Sequence, residues 1–105
     1  MSSWILSSDP ALNEVATRLR AVSHPTRLAI LLALQAGELS QKDLNAAFPS
    51  CLQSSLSTHI SKLRQQGWVE TSRRGQLTYA RLSSDPSCRL LLHYCLSSAP
   101  LSEAL

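Results

Sequence analysis

The 105-residue chain reads as a mainly α-helical domain with a single β-hairpin, and three observations carry that reading. Leu56, Ile60 and Leu63 form an i, i+4, i+7 stripe, so the residues before Gly67 make a helix with one buried face. Gly67 supplies the left-handed residue that ends a helix, and 69–73 and 77–82 then alternate as strands around Arg74-Gly75-Gln76. Asp-Pro pairs at 9–10 and 85–86 each place a capping acid before a proline at a first helical position. The resulting order is ααααββα, a winged helix-turn-helix with an extra helix at each end.

Each element has its own warrant. Leu12, Val15, Leu19 and Val22 give the first helix, about residues 10–21, a narrow stripe of the kind that seals a helix–helix seam. His24-Pro25 restarts the chain, with His24 as a cap or surface residue, and Leu28, Ile30, Leu31, Leu32 and Leu34 make the second helix apolar almost all round. Such a helix belongs at the centre of the domain, and Gly37 ends it. Ser40 and Asp43 approximate a capping box for the third helix, whose buried face is Leu44, Ala47 and Phe48 before Pro49 stops it. A short turn leads to Ser50 or Cys51, where the fourth helix is expected to begin. Trp68 is expected at the base of the wing, and Trp4 against a dimer partner. The last helix, about 86–97, carries Leu90, Leu91, Leu92 and Leu96. The whole chain is one domain, with the helix-turn-helix at about 40–66, the wing at about 68–82 and dimerisation through the terminal helices.

Charge is concentrated where this pattern places a reader. Lys62, Arg64, Arg73, Arg74 and Arg81 face a single acid, Glu70, between Gln53 and Arg81, whereas acids outnumber bases over the rest of the chain. The formal net charge of +3 therefore sits in one segment. Gln53, Ser54, Ser55, Ser57 and Thr58, followed by His59, Lys62 and Arg64, are short or basic side chains that let a helix lie deep in a major groove and address base edges. Arg73 and Arg74 suit phosphates or the minor groove. Double-stranded operator DNA is the partner this surface predicts.

The other bulk properties narrow the class. An apolar fraction of 44% suffices for a core, though a short chain buries a smaller share of its surface and gains from dimerisation. No apolar run approaches the ~20 residues needed to span a bilayer, and the first residues do not read as a signal peptide, so a cytoplasmic protein without a membrane partner is expected. Three cysteines without staple-like spacing fit a reducing compartment. There is no glycine-rich phosphate loop, no paired acids and no nucleophile–base–acid set, so an enzyme is not expected.

The ordered set of motifs resembles the ArsR/SmtB family of dimeric winged-helix repressors over about residues 10–97. The carriers are Ala21-Val22-Ser23-His24-Pro25-Thr26-Arg27-Leu28, Glu38-Leu39 with Asp43-Leu44, Ser57-Thr58-His59-Ile60, Leu63, Gly67 and Arg73-Arg74-Gly75. The resemblance implies a repressor that leaves its operator when an inducer binds, and a DNA-contact or positioning role for His59. Two of the family's metal sites are missing here. Ser40, Gln41 and Lys42 stand where metal-sensing members carry cysteines on the third helix. Asp85-Pro86-Ser87 lacks the histidine of the zinc site between paired last helices, and Ser98 and Leu101 replace its second pair.

Three thiols remain as candidate sensors. Cys88 and Cys95 lie seven apart on the last helix, about 10 Å along its axis, so one chain cannot close them on an ion or into a disulfide. Two antiparallel copies pairing near Leu91-Leu92 would bring Cys88 opposite the partner's Cys95. Such pairs suit trivalent arsenic or another thiophilic ion as an inducer, or oxidation, with no resident cofactor required. Packing of both as small apolar side chains is the alternative. If Ser50 caps the fourth helix, Cys51 falls in its first turn, where the helix dipole favours a thiolate. The function expected is a dimeric sequence-specific repressor released by an inducer acting on thiols. A winged-helix module that docks protein, or a repressor without a small-molecule switch, stays open.

Overall fold

The computed structural model describes residues 10–97. The Asp9 cap and the packing of Trp4 lie outside the described residues, as does the side chain of Leu96. The elements are α1 (Pro10–Val22), α2 (Pro25–Ala33) with a 3-10 turn at Leu34–Ala36, β1 (Leu39–Ser40), α3 (Gln41–Ala47), α4 (Gln53–Gln65), β2 (Val69–Arg74), β3 (Leu77–Leu82) and α5 (Pro86–Ser97).

Local chemistry sets most of the boundaries. His24 caps α2, its Nδ1 accepting the Thr26 N–H at 3.1 Å, with Pro25 in the first turn. Ser40 and Asp43 close a reciprocal capping box on α3, with Asp43 N–H to Ser40 Oγ at 3.0 Å and Ser40 N–H to Asp43 Oδ2 at 3.3 Å. Asp85 begins α5 by accepting the Ser87 N–H at 2.9 Å. Gly67 ends α4 at φ +79°, in the left-handed region that a side chain would disfavour. Gly75 (φ 63°) takes the first of two loop positions between β2 and β3, as a two-residue hairpin requires.

Two features depart from the expected layout. Leu39 and Ser40 form a short third strand that pairs with Ala80 and Tyr79, so the sheet is three-stranded in the order β1-β3-β2. Ser40 thereby serves as a strand end and a helix cap at once. Secondly, α4 begins at Gln53 rather than at Ser50 or Cys51. The chain turns tightly first, with the Cys51 N–H on the Phe48 carbonyl at 3.0 Å, and Leu52 precedes the helix in extended geometry without a side-chain cap.

The core follows most of the stripes, except that Ala47 of α3, expected on the buried face, is exposed. Ile30, Leu31 and Leu34 from α2 and the turn after it meet Leu44 of α3, Leu56, Ile60 and Leu63 of α4, and Val69 and Ala80 of the sheet. Trp68 is buried at the base of the wing, its indole N–H on the Arg18 carbonyl at 2.8 Å with the Arg18 guanidinium 5.1 Å from its ring centroid. Arg18 also reaches Asp85 at 3.3 Å and the Gln66 carbonyl at 3.2 Å, so one side chain clasps α1 to the end of α4 and the start of α5. Val22 joins the core, whereas Leu12, Val15 and Leu19 on the same helix stay at the surface.

Candidate nucleic-acid interface

Only one face of α4 is held by the body of the protein. Leu56, Ile60 and Leu63 are buried, and Gln53, Ser54, Ser55, Ser57, Thr58, Lys62 and Arg64 are exposed. Ser54 and Thr58 lie one turn apart, and the Thr58 hydroxyl donates to the Ser54 carbonyl at 3.0 Å. That bond occupies the donor and leaves Thr58 its acceptor lone pairs and its methyl group for a base edge. Exposed Gln65, seven residues past Thr58, extends the surface that the sequence assigns to 53–64. Short side chains over two turns let the helix axis approach base pairs closely.

The five basic side chains of this segment are not equivalent. Arg81 is held by Glu70, with Nε at 3.0 Å and Nη2 at 2.8 Å from the same carboxylate oxygen. Arg74 pairs with Glu38, and its guanidinium carbon lies 3.8 Å from the Tyr79 ring centroid. Among the described residues, Lys62, Arg64 and Arg73 have no acidic partner. Those three place uncompensated positive charge beside the polar arc and on the wing. Glu38, which sequence patterning does not connect to the wing, emerges as the residue that restrains Arg74.

His59 takes a different place from its neighbours on α4. It is half-buried, its Nδ1 accepts the Arg27 Nε–H at 3.0 Å, and its ring centroid is 4.6 Å from that of His24. Burial first, then the nearby His24 and Arg27, hold its pKa below the usual histidine value. Arg27 also donates through Nη1 to the Ala21 carbonyl at 3.1 Å. The residue expected to touch or position DNA is thus engaged with the start of α2.

The cysteines are not gathered. Among the described residues no group of three or more His, Cys, Asp or Glu side chains could hold a metal ion, so Cys51, Cys88 and Cys95 do not make one site within a chain. Cys88 is 1% exposed and its thiol donates to the Trp68 carbonyl at 3.2 Å. It faces its own core, which corrects its expected place across a helix seam from the partner's Cys95. Burial pushes the Cys88 thiol above its usual pKa, which favours the thiol over the nucleophilic thiolate. Cys95 is half-buried. Cys51 is half-buried in the turn before α4, outside that helix's first turn. A cleft of about 830 Å³ between the wing base and α5, lined among others by Leu34, Arg81, Cys88, Arg89 and His93, reaches the Cys88 side from solvent.

Most large exposed apolar side chains lie on α1 and α5, although Leu52 at the start of α4 and Leu77 on the wing are exposed as well. Val15 (54% exposed) and Leu19 (49%) on α1 and Leu90 (70%) and Tyr94 (69%) on α5 form faces that one protomer leaves uncovered. No helix among the described residues is long and apolar enough to cross a membrane.

Comparison with known proteins agrees with this geometry. Residues 24–71, from the cap of α2 into β2, match the model of the "Bacterial regulatory protein, arsR family". A biofilm growth-associated repressor of Agrobacterium fabrum is 35% identical over 88 residues, covering 83% of this chain and 74% of that protein. The crystal structure of NolR from Sinorhizobium fredii is 35% identical and superposes with a TM-score of 0.73 over 86% of this chain and 91% of that one. A homodimeric winged helix-turn-helix DNA-binding domain from Mycobacterium bovis, Mb0332, is 26% identical with a TM-score of 0.75, covering 90% of this chain and 91% of that one. With a curated repressor and solved regulators matched along most of its length, the chain belongs to the ArsR family of bacterial regulatory proteins.

Proposed function

We propose that the chain is a homodimeric, sequence-specific DNA-binding repressor. The observation that carries this is the separation of two surfaces. Uncompensated Lys62, Arg64 and Arg73 accompany the polar arc of α4, while Val15, Leu19, Leu90 and Tyr94 put most of the exposed apolar area on α1 and α5, against Leu52 and Leu77 on the reading side. A winged helix that docks protein through its reading face needs the opposite distribution. Pairing of α1 and α5 with a second copy covers the apolar faces and sets two α4 helices for half-sites about one DNA turn, ~34 Å, apart. The printed descriptions of the relatives, one a repressor and one a homodimeric DNA-binding domain, support this reading.

Release by an inducer acting on thiols completes the proposal. Cys51 and Cys95 are the more accessible positions, and Cys88 is buried beside the cleft at the wing base. Trivalent arsenic, another thiophilic ion or an oxidant are the chemistries that would act there. The test is selection of binding sites from random duplex DNA, followed by gel shift with arsenite, zinc and peroxide. Enrichment of an inverted repeat supports the repressor reading, and failure to enrich any sequence opposes it. Cys51→Ser and Cys95→Ser variants that keep full release would refute the thiol part alone.

A further inference from the structure

Arg27 stands at a junction of three helices. It lies in the first turn of α2, its Nη1 donates to the Ala21 carbonyl near the end of α1, and its Nε donates to His59 Nδ1 on α4. One rigid guanidinium fork therefore bridges the helix that carries the apolar seam and the helix that carries the reading face. His59 can accept this bond only when Nδ1 bears no proton, which places the proton of the neutral ring on Nε2. The neighbouring ring has the same requirement, since His24 Nδ1 accepts the Thr26 N–H at 3.1 Å.

We propose that Arg27 is a positioning residue that ties the reading helix to the seam helix through His59, and that the tie holds only while His59 is neutral, so operator binding weakens on acidification. This rests on the DNA-reading function proposed above. Protonating His59 replaces an acceptor with a donor pointed at the Arg27 N–H and adds a cation beside a guanidinium and a second imidazole. The charged groups acting on its ring are His24 and Arg27, both from the start of α2. From the other elements packed on α4, Arg18 of α1 is engaged by Asp85 and Gln66, Arg20 by Thr17, and Glu70 of β2 by Arg81. Lys62, one turn further along α4, adds a like charge on the same helix. Among the described residues, no carboxylate is one of the groups acting on His59 to offset the added proton.

The direction of the effect is diagnostic. The folded-state pKa is lowered, so the contribution of the tie is complete above the ordinary histidine value and is lost as pH falls through the lowered one. Generic attraction to DNA runs the other way, because protonating histidines raises the positive charge of the protein. A loss of affinity on acidification therefore reports the tie and not the overall field.

The experiment uses the full chain and its selected operator at about pH 7.5 and about pH 5.5. Wild type should bind roughly tenfold more weakly at the lower pH, the size expected from losing a charge-assisted hydrogen bond. Arg27→Lys retains the charge without the fork and should be weak at both values, with little pH response. His59→Asn keeps an acceptor near the Nδ1 position that does not titrate, and should flatten the pH response. In parallel, imidazole nitrogen shifts of the DNA-free protein should show His59 unprotonated at Nδ1 at the higher pH, and amide exchange in α4 should accelerate in Arg27→Lys. A His59→Asn variant with the wild-type pH response, or Arg27→Lys with wild-type affinity and exchange, would overturn the proposal. The DNA-free measurements separate its failure from failure of the repressor reading, which would appear as absent operator binding at the higher pH with the tie intact.

Discussion

Arg73 and Arg74 are adjacent in sequence but should contribute unequally to DNA binding. Arg73 is exposed and has no acidic partner among the described residues, whereas Arg74 is paired with Glu38 and lies over Tyr79. Each phosphate contact lowers the log–log salt slope by about 0.9, so removing Arg73 from both protomers should flatten it by about 1.8. Over a fourfold rise in salt that difference amounts to roughly tenfold in affinity for the dimer. Arg74 must first leave Glu38, an exposed pair worth about 0–1 kcal/mol, so its net contribution is smaller by that amount. Arg74→Ala should therefore change the slope by less than Arg73→Ala, and Glu38→Gln should tighten binding by releasing Arg74. The assay is fluorescence anisotropy with operator and with unrelated duplex, titrated from low to moderate salt. Arg73→Ala should lose affinity about equally for both duplexes. Equal slopes for Arg73→Ala and wild type, or a larger loss for Arg74→Ala, would refute the assignment of the wing charges.

Further expectations concern the seam, the thiols and the fold. Val15→Glu places a charge on the exposed apolar face of α1, and should shift the protein to monomer in sedimentation while its helical circular dichroism is retained. At neutral pH Cys88 should alkylate far more slowly than Cys51 or Cys95, because burial holds its thiol protonated, and labelling followed by mass spectrometry ranks the three. Ser40→Ala removes the capping hydroxyl of α3 from a buried position and should cost about 1–2 kcal/mol, a fall of at least ~4 °C in the thermal midpoint.

The sequence is most readable where neighbouring residues set the structure. The α4 stripe, the Gly67 stop, the Ser40–Asp43 box and the hairpin all depend on residues within a few positions of one another, and all stand in the structure. The sequence places the start of α4 at Ser50 or Cys51 because Ser50 has the chemistry of a cap, whereas in the structure Pro49 and Ser50 are the central residues of the turn closed by Phe48 and Cys51. The strand at Leu39–Ser40 is two residues long, too short for alternation, and exists through its pairing with Ala80 and Tyr79. The sequence places Cys88 toward the partner because the Leu90-Leu91-Leu92 run obscures which face of α5 meets its own domain. Arg27–His59 and Glu38–Arg74 join residues more than thirty positions apart, and no periodicity in the chain announces them.

Footprinting of the selected operator by hydroxyl radicals, with the number of bound protomers counted by native mass spectrometry, tests the central claim most directly. The account predicts two protomers per site and two symmetric protected segments with major-groove centres about one helical turn apart. A single protomer on one protected segment, or protection that is the same on any duplex, would contradict it.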